Sequence, residues 1–158
     1  MDKNTQKVMF SHKNDEWETP QDFYDKLNEK IGFTLDPCAN ASNYKCKKYF
    51  TIHDDGLKQS WAGYRCFVNP PYSQIKEWAK KCYEESLKED TIVSLLCPVR
   101  SDTSWFYEYC MKAYSIYFIR GRLKFSNEKN CAPFPSMVVN FNSNIYHTEP
   151  LIYSWSRK

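Results

Sequence analysis

Tyr64-Arg65-Cys66-Phe67-Val68-Asn69-Pro70-Pro71-Tyr72-Ser73 decides how the rest of the chain is read. Residues 64–68 form an apolar-rich run suited to a strand, and two consecutive prolines stop it because proline has no N–H to give to a ladder. Ser73 then stands where it can cap a helix whose inner side is marked by Ile75, Trp78, Ala79, Cys82 and Leu87. The unit repeats downstream. Thr91 to Leu96 is β-branched and apolar, Cys97-Pro98 ends it, and Asp102 to Ala113 carries Trp105, Phe106, Tyr109 and Cys110 at helical spacing. Strands alternating with helices predict a parallel sheet covered on its faces. Ser115–Ile119 and Met137–Phe141 follow as strands with no clear helix between them, which predicts an antiparallel edge pair.

Upstream, Thr19 precedes Pro20, which suits the first helical position, and Phe23, Leu27 and Ile31 recur every fourth residue until Gly32. Phe33-Thr34-Leu35 reads as a short buried strand ended by Asp36-Pro37, and residues 40–49 read as mostly irregular. The expected fold is a small Rossmann-like α/β domain: a mostly parallel, doubly wound sheet with an antiparallel edge hairpin.

The chain has 158 residues, 42% hydrophobic and 26% charged, enough for one core and too few for two ordinary domains. Residues 1–15 are polar enough for a loose arm, and residues 16–158 are expected to form a single domain. No apolar run approaches membrane-spanning length and no secretion signal opens the chain, so a cytoplasmic protein without membrane contact is expected. Seven cysteines contain no CxxC or CxxH pair, which argues for buried, reduced thiols and no metal site. A net charge of +3 permits nucleic-acid contact without demanding it.

In doubly wound sheets ligands bind beyond the carboxyl ends of the strands. Asp36-Pro37-Cys38-Ala39, Asn69-Pro70-Pro71-Tyr72 and Cys97-Pro98-Val99-Arg100 all fall there. The first and third, taken alone, are ordinary strand stops. The second offers more. A planar exocyclic amine could give its hydrogens to the Asn69 side-chain oxygen and a proline-restrained carbonyl, while Tyr72 stacks on the attached ring.

Asn69-Pro70-Pro71-Tyr72 after an apolar strand resembles the catalytic motif of amino-group methyltransferases that use S-adenosyl-L-methionine. The set extends through Trp17-Glu18-Thr19-Pro20, Asp36 to Ala39, Asp54-Asp55-Gly56-Leu57, Arg100 to Thr103, Gly121 to Phe125 and Pro133 to Ser136. In this order, over residues 17 to about 141, the chain resembles the phage-type Dam-like DNA N6-adenine methyltransferases. The resemblance implies S-adenosyl-L-methionine as cofactor, DNA as partner, and a phage or prophage setting in which a cognate restriction enzyme is conceivable.

It further implies catalytic roles for Asn69, Pro70, Pro71 and Tyr72. Cofactor contacts are implied for Trp17, Thr19, Pro20, Asp36, Pro37, Cys38, Ala39, Gly56, Leu57, Asn69 and one of Asp54 and Asp55. Ser73, Arg100, Arg122, Lys124 and Phe134 are placed on the DNA side, although Arg100 and Arg122 serve equally well as structural ion pairs. Lys45, Lys47 and Lys48 read as solvated surface. Many folds that bind this cofactor have a glycine-rich turn after the first strand, whereas residues 39–42 here contain no glycine. Neither the stretch between Asp36 and Asn69 nor that after Phe141 has room for a target-recognition domain, so base contacts are expected from residues 126–135 or the N-terminal arm. Methylation of RNA or of protein glutamine, and a binding module without turnover, are the rival readings.

Overall fold

The computed structural model describes residues 15–145 and 148–156, so the predicted arm lies outside the described residues except for Asp15. The elements are α1 (Gln21–Ile31), β1 (Leu35–Asp36), β2 (Lys48–Tyr49), β3 (Arg65–Val68), α2 (Ile75–Ser86), β4 (Ile92–Pro98), α3 (Ser104–Glu108), β5 (Ser115–Ile119), β6 (Ser136–Asn142) and β7 (Leu151–Trp155). Short 3₁₀ turns precede α2 and follow α3. They build a seven-stranded sheet in the order β2-β1-β3-β4-β6-β5-β7. All pairings are parallel except those of β6 with β4 and β5.

The expected antiparallel pair of β5 and β6 is therefore present, but it is not the edge. β7 runs parallel to β5 and covers it, from Ser115↔Leu151 to Ile119↔Trp155. Strand β6 is held in place by β4 along seven residues, Ile92↔Asn142 to Pro98↔Ser136. A buried polar chain fixes this register: Ser94 Oγ donates to Asn140 Oδ1 at 2.7 Å, and Asn140 Nδ2 donates to Ser115 Oγ at 3.1 Å. A slip of β6 by one residue would turn Asn140 to the opposite face and leave all three groups unpaired.

Local expectations differ from the structure where tertiary partners compete. Pro20, not Thr19, precedes α1, and no side chain caps that helix. The Thr19 hydroxyl instead accepts from Asn69. Gly32 ends α1 as expected, at φ 71°, with its N–H bonded to the Asn28 carbonyl at 2.8 Å. Ser73 does not cap α2, because its hydroxyl and amide are both bonded to the Asp15 carboxylate. Leu87 falls just past α2 and is exposed, while Glu85 takes an inner position, accepting from Trp61 N–H, Lys81 and Lys88. The helix expected to reach Ala113 breaks at Tyr109, whose φ of −124° leaves the helical region, and a 3₁₀ turn over Cys110–Lys112 follows. All seven cysteines are free, with Cys131 exposed and Cys38 half-buried.

The strand order reverses at β1, and this crevice depends on one glycine. A Cβ at Gly56 would lie 2.0 Å from the Pro37 carbonyl oxygen and 3.2 Å from the Trp78 ring. Two loops therefore touch backbone to backbone. Gly56→Ala should destabilise the fold by roughly 2–3 kcal/mol, the upper range for overpacking against backbone. Denaturant unfolding would show this, and an unchanged midpoint would refute the close approach.

Candidate active site

A cavity of about 570 Å³ opens at the carboxyl ends of β1, β2 and β3. Its walls are the loop Asp36–Asn40 after β1, Thr51, Ile52 and Asp55–Leu57 after β2, Asn69–Pro71 after β3, and the segment Asp15–Thr19 preceding α1. This is the switch-point crevice at which doubly wound sheets bind ligands.

Asp36 builds the first wall. Its carboxylate accepts the amide N–H of Cys38 at 3.2 Å and that of Lys45 at 3.0 Å, folding the loop around itself without a glycine. Burial pushes this carboxyl up from 3.8 to about 6, while the two amides and the Lys45 charge pull the other way. The adjoining acidic turn divides its two aspartates. Asp54 turns back to accept from Thr51 N–H at 2.8 Å and is a turn residue, whereas Asp55, at φ 56°, lines the cavity and pairs with Lys58 at 3.2 Å.

Asn69 lies on the cavity wall with its carboxamide held at both ends. Nδ2 donates to the Trp17 carbonyl and to Thr19 Oγ1, the latter at 2.9 Å, and Oδ1 accepts from the Tyr72 hydroxyl at 3.0 Å. The Trp17 carbonyl can only accept, so it dictates which end of the amide faces it. Burial pushes the Tyr72 phenol well above its ordinary value, which keeps it a donor. Oδ1 retains a second lone pair. Among the described residues no hydrogen bond falls on the Pro70 carbonyl.

The structure places the remaining expected residues as follows. Trp17, Thr19, Pro37, Cys38, Ala39, Gly56, Leu57, Pro70 and Pro71 join Asp36, Asp55 and Asn69 in the lining, whereas Pro20 and Asp54 do not. Tyr72 is fully buried with its ring edge-on to Phe134, so in this state it holds Asn69 and presents no face to a ligand. Phe134 is also fully buried, packed on Trp17 and Tyr72, which makes it part of the core and not a surface contact. Arg100 is only 14% exposed and bonds Asp102 at 3.3 Å, the ion-pair alternative. Arg122 and Lys124 are exposed, as is Ser73, although Ser73 is occupied by Asp15.

The wall residues given no site role by the sequence include Asp15, Lys45, Ile52 and Trp78. The helical spacing of Trp78 predicts core, and its ring is buried while still contributing to the cavity wall. Lys45, in a polar stretch that predicts solvated surface, is half-buried and donates to Gln21 Oε1 at 2.9 Å.

The sequence model of the family described as DNA N-6-adenine-methyltransferase (Dam) matches residues 6–145. The chain belongs to that family. Its activity class is accordingly methyl transfer to adenine N6 in DNA. Two similar proteins carry the name DNA N-6-adenine-methyltransferase. That of Haemophilus phage HP1 is 29% identical over 119 residues, covering 73% of this chain and 68% of its own length. That of Escherichia phage T1 is 30% identical over 111 residues, covering 69% of this chain and 46% of its own length. Among the described residues no helix is long and apolar enough to cross a membrane, and no group of His, Cys, Asp or Glu could hold a metal ion.

The raised carboxyl of Asp36 has a pH signature. The folded chain holds this proton more tightly than the unfolded one, so the contribution of Asp36 to stability is fully present below about pH 4 and is lost as pH rises through about 6, by up to roughly 3 kcal/mol. Asp36→Asn removes that slope. In urea titrations the stability of the natural chain relative to the variant should fall between about pH 4 and about pH 6.5; two parallel profiles would contradict it.

Proposed function

We propose that the cavity seats S-adenosyl-L-methionine and that Asn69, with the Pro70 carbonyl, receives the amino group of an adenine turned out of a DNA duplex. The single observation that carries this reading is the Asn69 carboxamide, fixed on the cavity wall with an acceptor lone pair to spare.

The residues present suit the cofactor. The volume falls in the range of small-molecule sites. Asp15, Glu16, Glu18, Asp36 and Asp55 line it against one cation, Lys45, and the ligand carries one net positive charge. Asp55 and the apolar Ile52, Leu57 and Trp78 would hold the nucleoside part, and the loop formed by Asp36 would hold the amino-acid part. When bound, the cofactor supplies an electrophilic methyl group on a sulfonium sulfur.

The chain's own work is orientation. Asn69 Oδ1 and the Pro70 carbonyl would each accept one hydrogen of the exocyclic amine, directing the nitrogen lone pair out of the ring plane. As the N–C bond forms at the expense of the methyl–sulfur bond, leaving a neutral thioether, one of those hydrogens leaves as a proton to solvent. The base must leave the stack to be reached, since N6 is paired inside a duplex. Arg122 and Lys124, both exposed, are suited to phosphate contact. The Tyr72 hydroxyl would keep the Asn69 acceptor in place, and its ring meets a base only if it leaves its packing against Phe134. A DNA substrate implies action in the cytoplasm, and a cognate restriction enzyme is a partner of the kind such methylation guards against.

Incubating the protein with labelled cofactor and duplex DNA, RNA or protein extract tests the assignment. N6-methyladenine in the DNA is the expected product. Asn69→Ala should abolish it while leaving calorimetric cofactor affinity within a few fold. Label confined to RNA or protein, no cofactor binding at millimolar concentration, or full activity in the variant would each overturn it.

A further inference from the structure

The loop between β5 and β6 turns at Gly121, at φ 78°, and carries the exposed Arg120, Arg122 and Lys124 before returning through Phe125 and Phe134, both fully buried. From this loop Asn127 reaches back to the segment ahead of α1. Its Oδ1 accepts the Glu18 N–H at 3.0 Å and its Nδ2 donates to the Glu16 carbonyl at 2.7 Å. Next to it the Ser126 N–H donates to the Glu18 carbonyl at 2.8 Å. The backbone on both sides of Trp17 is thus gripped from one loop, and the Trp17 carbonyl between those grips accepts from Asn69.

An exposed asparagine has no need of protein partners, because water satisfies it, and ordering its side chain costs entropy. Placing both polar ends on one distant tripeptide, residues 16–18, does one thing well: it fixes the position and the rotation of the Trp17 peptide, as a strand ladder would. We infer that Asn127 is a positioning residue for the transfer step, setting through residues 16–18 the carbonyl against which the Asn69 carboxamide is oriented. The same contact ties the loop bearing Arg122 and Lys124 to the catalytic amide. The inference rests on the reading of Asn69 as the group that receives the amine.

Two variants test it. Asn127→Ala removes both bonds and should lower kcat on DNA by about tenfold or more, with cofactor affinity within threefold, the loss expected from one mis-set hydrogen bond. Asn127→Asp should behave similarly at pH 8, because its carboxylate faces the Glu16 carbonyl. As pH falls to about 4, near the ordinary carboxyl value, the protonated carboxyl again accepts from Glu18 and donates to Glu16, so its kcat relative to the natural chain at the same pH should recover. A second readout needs no turnover: solvent exchange of the Asn69 side-chain amide protons, followed by NMR and compared with the natural chain at the same pH, should be at least fivefold quicker in Asn127→Ala and return toward the natural chain's rate in Asn127→Asp at low pH.

A lowered melting temperature with unchanged kcat, unchanged Asn69 exchange and no recovery at low pH would overturn the inference and leave Asn127 a structural clamp. If the exchange rates change as expected but Asn69→Ala remains active, the positioning contact stands and the reading of Asn69 is what fails.

Discussion

The Asn69 carboxamide is where the local demands of this chain meet. Its nitrogen is claimed by the Trp17 carbonyl and Thr19, and its oxygen by Tyr72. The partners arrive from two separate pieces of structure: Trp17 and Thr19 from the segment ahead of α1, Tyr72 from the turn that follows the two prolines. Pro70 and Pro71 hold that turn stiffly enough to keep Asn69 at the end of β3, and the aromatic cluster of Trp17, Tyr72, Phe125 and Phe134 packs behind it. A carboxamide tied this way costs little reorganisation when a substrate amine arrives, which is what a positioning catalyst needs.

The cavity beside it is assembled with one glycine, placed on an unexpected loop. Where other folds bring backbone close to a ligand with a glycine-rich turn after the first strand, here the Asp36 carboxylate gathers the amides of Cys38 and Lys45 and bends the loop around itself. Gly56, on the next loop, then lets that bend pack against it at a distance no side chain would tolerate. The buried carboxylate is costly at neutral pH. It also leaves negative charge in the wall facing a ligand that carries positive charge.

Much of this architecture was legible in the sequence because proline punctuates it. Asp36-Pro37, Asn69-Pro70-Pro71 and Pro98 each stand at the carboxyl end of a strand, so the strand ends and the site end were marked together. The motif residues after β1, β2 and β3 do converge on one cavity. What escaped was set by partners far away in the chain. Thr19 and Ser73 have the chemistry of helix caps, yet Asn69 and Asp15 take their hydroxyls. Strand β2 is a two-residue strand with a polar lysine, recruited by β1 and not by its own pattern. Tyr72 and Phe134 were read as ligand-facing rings from their place in motifs, but ring–ring contact buries both. Asn127 offered no local signal, since its partners lie more than a hundred residues upstream.

Catalysis by this geometry requires the amide at position 69 to be held by its nitrogen as well as used through its oxygen. Single-turnover methylation of duplex DNA by Asn69→Asp isolates that claim, because the substitution keeps the acceptor oxygen and removes the donor. A carboxylate against the Trp17 carbonyl should be pushed out of place and slow the transfer step by about 10- to 100-fold at neutral pH, with cofactor affinity little changed. A rate equal to that of the natural chain would show that an acceptor alone suffices and that the grip on the amide nitrogen plays no part.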